Sequence, residues 1–250
     1  KIDELKKKGF WGRFILRPLI KHFFKMIDHV INQSQNMRED LIKLYPKLDS
    51  RSSVIYNPIS AYIDEYINKN NLTKIKKKNY LLCVGRLEPV KALHYAIEGF
   101  AGITNQFPNL RLKIVGQGIL EGELKQKAID FSISDKVDFE GFQKDIIPYY
   151  LYAKATILTS HYEGYPNVLL ESLAMNTPVV AFDCPGGTSE IVKNGFNGYL
   201  VNNKDIEDLK NKLANVMLKD LNNDYLKNTI KDNQIDQVFK NYEKLLNLFI

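Results

Sequence analysis

Short apolar runs recur along the middle of the chain, and each ends in a glycine or a polar turn before a helical pattern begins. Such runs, rich in β-branched and aliphatic residues, are typical of strands that are buried on both faces of a parallel sheet. They predict strands at residues 80–84, 111–115, 137–140 and 155–160. Four strands that each feed a helix predict an α/β fold with a Rossmann-like, doubly wound parallel sheet.

The turns after the first three predicted strands carry residues that suit a ligand. They are Gly85-Arg86, with Lys91 five residues on, then Gly116-Gln117-Gly118, then Gly141-Phe142. The carboxyl ends of parallel strands meet at one edge of a sheet, so these turns are expected to line one crevice. Arg86 and Lys91 could both reach a pyrophosphate there, Arg by its planar fork and Lys as a compact point charge.

The turn after the fourth strand places two carboxylates, Glu163 and Glu171, on either side of a helix start. The helix is predicted from about residue 166 to residue 175, because Pro166 suits a first helical turn, and Gly164 allows close approach of a ligand. The free N–H groups of that turn attract hydroxyls or phosphates. A carboxylate accepts two hydrogen bonds side by side, which matches a vicinal diol on a sugar.

Each of these features has an ordinary structural alternative. Two Glu residues near a helix start often do no more than favour the helix dipole and face solvent. A Gly-x-Gly is often a tight turn, Arg86 could be a surface cation, and Phe142 in such a position is more commonly a core residue than a platform for a base. His161 could enter the site or cap the strand, whereas His94 is assigned to the surface or the core. The order in which the motifs occur together makes them specific.

In that order, the motifs resemble the donor-binding half of retaining glycosyltransferases of family 4, which have the GT-B architecture of two facing Rossmann-like domains. The similarity covers about residues 50–250 and rests on these segments: VGRLEPVK at 84–91, IVGQGILEGEL at 114–124, VDFEGF at 137–142, EGYPNVLLE at 163–171 and PVVAFDCPGGTSEIVKNGFNGYLV at 178–201. One departure is Ala92, where the family commonly has Gly after the Lys.

The resemblance implies a role for each candidate site residue. Arg86, Lys91 and Glu163 form the catalytic set, in which the two cations hold the diphosphate. For the donor, the resemblance implies that Glu171 contacts the ribose hydroxyls and that the backbone around Phe142 contacts the nucleobase. Gly116 and Gly118 are implied to lie in the floor of the cleft. Glu163 is implied to face the transferred sugar, together with the amides of Gly164, Tyr165, Pro166 and Asn167.

The implied reaction moves a hexosyl or N-acetylhexosaminyl group from a nucleoside-diphosphate sugar, with a UDP-sugar as the expected donor, to a hydroxyl of a glycan or lipid-linked acceptor, with retention. Such chemistry belongs to the assembly of bacterial polysaccharide, lipopolysaccharide or other surface glycolipid. The chain has no Asp-x-Asp motif, which predicts a site without a metal ion or cofactor. Two alternatives stay open: a donor-binding fragment without turnover, and a sugar-nucleotide epimerase of the same architecture.

Charge is concentrated at the start of the chain. Residues 1–25 contain eight Lys or Arg and two acids, which accounts for the whole net charge of +6. Aromatic and aliphatic residues interleave with these cations, a pattern typical of a segment that lies on an anionic membrane. The same residues could instead pack against an adjoining domain. No nucleic-acid module is recognisable, so nucleic acid is not an expected partner.

The chain is predicted to comprise three parts. Residues 1–57, with a strand at 26–34 and a helix at 35–43, resemble the end of the acceptor-side domain, so most of that domain is expected to lie outside this sequence. Residues 58–234 are predicted to form the donor-binding domain, and 235–250 a helix that crosses back. Two cysteines without disulfide or zinc spacing, and no apolar run long enough to span a bilayer, predict a cytoplasmic protein, peripheral on the inner membrane face.

Overall fold

The computed structural model describes residues 17–72, 75–219, 221, 226 and 228–249. The chain divides into two compact units, one that ends at Ile55 and one that begins at Tyr56. Within the described residues, no helix combines the length and the apolar character needed to cross a membrane.

The first unit pairs two short parallel strands. Its elements are helix α1 (Arg17–Met26), strand β1 (Val30–Asn32), helix α2 (Gln35–Leu44), a 3-10 helix (Pro46–Arg51) and strand β2 (Ser52–Val54). Helix α2 starts where predicted because Ser34 caps it, with its hydroxyl oxygen accepting from the Met37 N–H at 3.2 Å. The strand predicted at 26–34 is wrong in its first half. Met26 ends a helix whose Phe24 ring packs against Tyr45, so only residues 30–32 pair as a strand.

The second unit contains a six-stranded, wholly parallel sheet. Its strands are β3 (Tyr80–Val84), β4 (Arg111–Val115), β5 (Val137–Gly141), β6 (Ala155–Leu158), β7 (Val179–Phe182) and β8 (Gly198–Val201). The spatial order is β5-β4-β3-β6-β7-β8. In chain order of this unit, that is 3-2-1-4-5-6, the arrangement of doubly wound nucleotide-binding folds. The predicted fold class is therefore confirmed.

Helices cover both faces of this sheet. The described helices of this unit are α3 (Ala61–Lys69), α4 (Leu93–Ala101), α5 (Glu121–Asp130), α6 (Ile147–Tyr152), α7 (Asn167–Ala174), α8 (Thr188–Ile191), α9 (Ile206–Leu218) and α10 (Ile235–Leu246). Successive strand residues point to opposite faces. Accordingly, Leu81 belongs to one hydrophobic core and Leu82 to the other, and both are fully buried. This double burial explains why the strands are continuous apolar runs rather than alternating ones.

The strand order reverses between β3 and β6. From β3 the chain passes outward to β4 and β5, and it then crosses back to place β6 on the other side of β3. Loops that follow β3 and β6 consequently diverge and leave a crevice beyond their carboxyl ends, the position at which open α/β sheets bind ligands. The fold thus places the crevice at the same edge of the sheet as the sequence motifs predict.

Candidate functional site

The turns after five neighbouring strands are joined to one another at this edge. Backbone hydrogen bonds run from Gly116 N to Gly141 O (2.8 Å), from Gly85 N to Val115 O (2.9 Å), from His161 N to Val90 O (2.9 Å), from Glu163 N to Pro185 O (3.0 Å) and from Gly187 N to Gly164 O (2.9 Å). The turns after β3, β4, β5, β6 and β7 therefore form one continuous rim. The sequence predicted this for the first four of these turns, and the structure adds the turn after β7.

The Gly-x-Gly after β4 has a packing reason. Gly116 has a positive φ of 137°, and a Cβ on it would lie 1.9 Å from the carbonyl oxygen of Gly85. A Cβ on Gly118 would lie 2.5 Å from the carbonyl oxygen of Leu87. Only glycine lets these backbones come so close. Both residues hold the β4 turn against the β3 turn, which is consistent with a place in the floor of the crevice.

Lys91 and Glu163 form an ion pair in the crevice. The Lys91 Nζ lies 2.7 Å from Glu163 Oε1, and the two side chains are only 20% and 12% exposed. The hydroxyl of Ser160, a fully buried residue, donates to the same Oε1 at 2.6 Å. Two donors on one oxygen fix the orientation of the Glu163 carboxylate. Sequence reasoning named Lys91 and Glu163 but did not predict that they pair, and it missed Ser160.

Arg86 is separated from that pair in the described structure. Its guanidinium is 72% exposed and its Nη1 contacts Glu88 Oε1 at 2.8 Å. An exposed ion pair of this kind contributes little to stability. Arg86 can accordingly leave Glu88 at small cost and turn toward an anion at the mouth of the crevice.

Glu171 lies on α7 and is half-buried. Its Oε2 accepts a hydrogen bond from the hydroxyl of Tyr150 at 2.9 Å. Burial raises the pKa of Glu171 above its usual value, and the hydrogen bond from Tyr150 acts in the opposite direction. Tyr150 is a second residue that sequence reasoning missed, because nothing local links positions 150 and 171.

A network of side chains holds the Gly164–Asn167 turn from behind. The Tyr165 ring is buried and stacks on Tyr56 with 5.1 Å between ring centroids. The Asn233 amide donates to Tyr165 Oη at 3.1 Å and to Asn57 O at 2.9 Å, and the Asn57 amide donates to Asn167 Oδ1 at 2.8 Å. Only the backbone of Tyr165 can therefore meet a ligand.

Pro166 corrects one detail of the prediction that the amides of residues 164–167 face the transferred sugar. It is the residue that precedes the first turn of α7, where its fixed φ is tolerated, but proline has no N–H to donate. The amides that could face a sugar are those of Gly164, Tyr165 and Asn167.

Phe142 is not a core residue. It follows Gly141, whose φ is +68°, and its ring is 69% exposed at the rim of the crevice. The common expectation that an aromatic residue in this position is buried is wrong here. An exposed ring beside the crevice is free to meet a planar base.

His161 faces helix α4. Its ring centroid lies 6.1 Å from that of Tyr95 and 6.4 Å from that of His94. Burial, and then the charge of Lys204, lower the pKa of His161, while burial and His161 lower the pKa of His94. Both rings are thus favoured in the neutral form, and in the described residues His161 makes no hydrogen bond to Glu163.

Ala92 occupies a position that suits glycine. It is fully buried and left-handed, with φ 46° and ψ 40°. The methyl group is accommodated there, so the departure from the family pattern leaves the β3 turn and Lys91 in place.

Comparison with known proteins identifies the family. The model of the glycosyl transferases group 1 matches residues 64–234. An uncharacterized glycosyltransferase of Methanocaldococcus jannaschii is 26% identical over 76% of this chain and 48% of its own length. An N-acetylgalactosamine-N,N'-diacetylbacillosaminyl-diphospho-undecaprenol 4-alpha-N-acetylgalactosaminyltransferase of Campylobacter jejuni is 28% identical over 78% of this chain and 52% of its own length. This chain spans about half the length of these relatives.

Solved structures of glycosyltransferases share the fold. HepE of Anabaena, solved in complex with UDP, superposes with a TM-score of 0.73 at 21% identity, over 88% of this chain and 64% of that chain. That likeness supports the Rossmann-like fold of GT-B enzymes. Because the group 1 model matches well over half of the sequence, the protein belongs to the glycosyl transferases group 1.

Proposed function

We propose that this chain forms the donor-binding side of a retaining glycosyltransferase of family 4, which moves a hexosyl or N-acetylhexosaminyl group from a nucleoside-diphosphate sugar to a hydroxyl acceptor. The observation that carries the proposal is the Lys91–Glu163 ion pair in the crevice of a doubly wound sheet. Relatives that build bacterial glycans, such as the Campylobacter jejuni enzyme, favour surface glycan or glycolipid assembly. Turnover is proposed for the whole protein, and donor binding is the part that this chain can be tested for.

The diphosphate is proposed to lie against Lys91 and Arg86. Departure of a nucleoside diphosphate develops negative charge on its oxygens, and cations placed there lower the barrier most. We favour UDP as the nucleotide, because HepE of Anabaena binds it on the same fold. The exposed ring of Phe142 is proposed to mark the base end.

Glu163 is proposed to accept a hydroxyl of the transferred sugar. Lys91 and Ser160 both contact Oε1, and no described side chain donates to Oε2. A carboxylate oxygen accepts hydrogen bonds, so Oε2 suits a hydroxyl of the sugar. The proton of the acceptor hydroxyl is expected to pass to the donor phosphate.

Metal independence is part of the proposal. Within the described residues, no group of three His, Cys, Asp or Glu side chains is placed to hold a metal ion. Lys91 and Arg86 supply the positive charge that a divalent ion supplies in other phosphate sites. We expect the affinity for UDP, measured by calorimetry, to be the same with and without a chelator. A loss of binding in the chelator would contradict this.

Peripheral membrane contact at the inner face of the cytoplasmic membrane remains a prediction. Residues 1–16 of the basic segment lie outside the described residues. In α1, Leu19, Phe23 and Met26 are exposed at positions one turn apart, which favours an interfacial helix. Sedimentation with anionic and with neutral vesicles tests this.

Glu171→Gln tests the ribose site. We expect the affinity for UDP to fall about tenfold or more, since a hydrogen bond to a charged group contributes about 1.5–3 kcal/mol. The same change should raise the free energy of unfolding at neutral pH. Burial raises the pKa of Glu171, so the folded state favours its protonated form, and stability is lost as pH rises through that pKa. The gain over the parent should therefore vanish near pH 4.

Glu65→Gln is the matched control. Glu65 forms an exposed pair with Lys69 on α3, and its removal should leave UDP affinity unchanged. Lys69 lowers the pKa of Glu65, so Glu65→Gln should produce only a small loss of stability at neutral pH, opposite in sign to the gain expected of Glu171→Gln. If Glu171→Gln binds UDP as tightly as the parent, Glu171 is not the ribose ligand.

A further inference from the structure

The position of Tyr150 is fixed by burial and by hydrogen bonds, although the residue lies on a helix of six residues. It is fully buried, and its backbone carbonyl accepts from the buried hydroxyl of Thr177 at 2.6 Å. The α6 helix that carries it packs against α7, which carries Glu171. The Tyr150 ring therefore has one position, and its hydroxyl reaches Glu171 Oε2 at 2.9 Å.

The hydroxyl of Tyr150 acts as a donor at any physiological pH. Burial, and then the charge and hydrogen bond of Glu171, raise the pKa of Tyr150 well above its usual value. A protonated phenol beside a carboxylate donates to it, and this bond favours the ionised carboxylate.

Glu171 depends on that donor. The elements with the most contacts to α7 are α3, α6, β6 and β7. Asp64, Glu65, Tyr66 and Lys69 on α3 are titratable, but among the described side chains it is Tyr150, on α6, that hydrogen-bonds to Glu171 and acts on its pKa. No cation of the described residues contacts Glu171. Burial without a cation disfavours the charged form, so the Tyr150 hydroxyl is the one described side chain that opposes neutralisation.

The two carboxylate oxygens also differ. Oε2 is taken by Tyr150, whereas Oε1 has no hydrogen-bond partner in the described part of the chain. Oε1 also keeps some solvent exposure, because it is not one of the fully buried polar atoms that lack a partner. The Tyr150 hydrogen bond thus leaves one oxygen available to a ligand.

We propose that Tyr150 is a positioning residue, which keeps the Glu171 carboxylate ionised and presents its free Oε1 to the ribose of the donor. The proposal rests on the ribose role of Glu171 proposed above. It adds the residue that makes a half-buried, unpaired carboxylate usable as a hydroxyl acceptor at neutral pH.

Tyr150→Phe is the direct test, because it keeps the buried ring and removes only the donor. The titration of Glu171 is followed by NMR of the side-chain carboxyl carbon, assigned by its loss in Glu171→Gln. We expect the midpoint to move to higher pH in Tyr150→Phe. We also expect UDP to bind about tenfold more weakly than to the parent at pH 6, with a smaller difference at pH 8.5. Taking the ratio to the parent cancels the ionisation of UDP itself.

Tyr80→Phe is the matched control. The Tyr80 hydroxyl lies in the same hydrophobic core as Tyr150, but it donates to the backbone carbonyl of Tyr149 at 2.7 Å. Its removal deletes a comparable buried hydrogen bond that does not involve a carboxylate. The titration midpoint of Glu171 and the UDP affinity should therefore equal those of the parent at both pH values. Tyr150→Met provides a second variant without a donor in case Tyr150→Phe does not fold.

The outcomes separate this inference from the role of Glu171. The inference is overturned if the titration midpoint of Glu171 in Tyr150→Phe equals that of the parent. It is also overturned if the midpoint rises and Glu171→Gln binds UDP weakly, but the UDP affinity of Tyr150→Phe relative to the parent does not vary with pH. If Glu171→Gln binds UDP as tightly as the parent, the ribose role fails, and with it the positioning of Oε1. The NMR titration then still decides whether Tyr150 controls the ionisation.

Discussion

Lys91→Ala is expected to lower the rate of sugar transfer about 100- to 1,000-fold, the loss typical when one group that stabilises developing charge is removed. Lys91 is the cation closest to Glu163 and the less exposed of the two predicted phosphate ligands. Its removal should also lower the affinity for UDP, measured by calorimetry, and release of UDP from a UDP-sugar reports the rate in the whole protein.

The same change has a structural cost that must be separated from the functional one. Without Lys91, the mostly buried Glu163 keeps, among the described side chains, only the Ser160 hydroxyl as a donor, and the fold should lose about 1–3 kcal/mol. Lys91→Met combined with Glu163→Gln removes both charges together. This double variant should recover most of the stability, because replacing a buried pair by neutral groups is often nearly neutral. It should not recover UDP binding.

Lys69→Ala is the control for removing a lysine from an ion pair. Its partner is Glu65 on the exposed side of α3, so stability should change by less than about 0.5 kcal/mol and UDP binding should not change. If the double variant binds UDP as well as the parent, Lys91 serves the fold and the diphosphate lies elsewhere.

The position of the site was predictable, whereas the contacts within it were not. Parallel strands bring their carboxyl ends to one edge of the sheet. A series of apolar strands whose following turns contain Gly85, Gly116, Gly141 and Glu163 is therefore enough to predict that these turns lie together. The Lys91–Glu163 contact depends on side-chain rotamers across 72 positions of the chain. Tyr150 and Glu171 lie 21 positions apart on different helices, and no periodicity links them.

The misplaced strand at 26–34 has a related physical cause. A window of mixed apolar and polar residues fits both a strand and the end of an amphipathic helix, and tertiary contacts decide between them. Here Phe24 packs on Tyr45 as part of α1, and pairing with β2 is limited to residues 30–32. At Phe142 it is the structural alternative that fails, because the turn after Gly141 leaves exposed an aromatic residue that is commonly buried in such a position.

Gly186→Ala is expected to be the most destabilising of the single glycine changes near the sugar end of the crevice. Gly186 has a φ of +117°, and a Cβ on it would lie 1.6 Å from the carbonyl oxygen of Glu163 and 2.7 Å from its carbonyl carbon. These are backbone atoms, and the Glu163 N–H is itself bonded to Pro185 O at 3.0 Å. The turn therefore has to shift as a whole, and Glu163 has to shift with it.

Two other glycines divide the expected effect into its parts. Gly195 also has a positive φ, +79°, but a Cβ there would meet nothing within 4 Å, so Gly195→Ala isolates the backbone strain, about 1 kcal/mol. Gly122 lies in α5, where a Cβ would again meet nothing, and Gly122→Ala should stabilise the fold by up to about 1 kcal/mol. Gly186→Ala adds the clash to the strain and should cost about 3 kcal/mol or more, a fall of roughly 6–12 °C in melting temperature. Because Glu163 moves, the affinity for a UDP-sugar should fall more than the affinity for UDP. Equal losses for both ligands, or a melting temperature like that of Gly195→Ala, would show that the Gly186 loop is not what holds Glu163 in place.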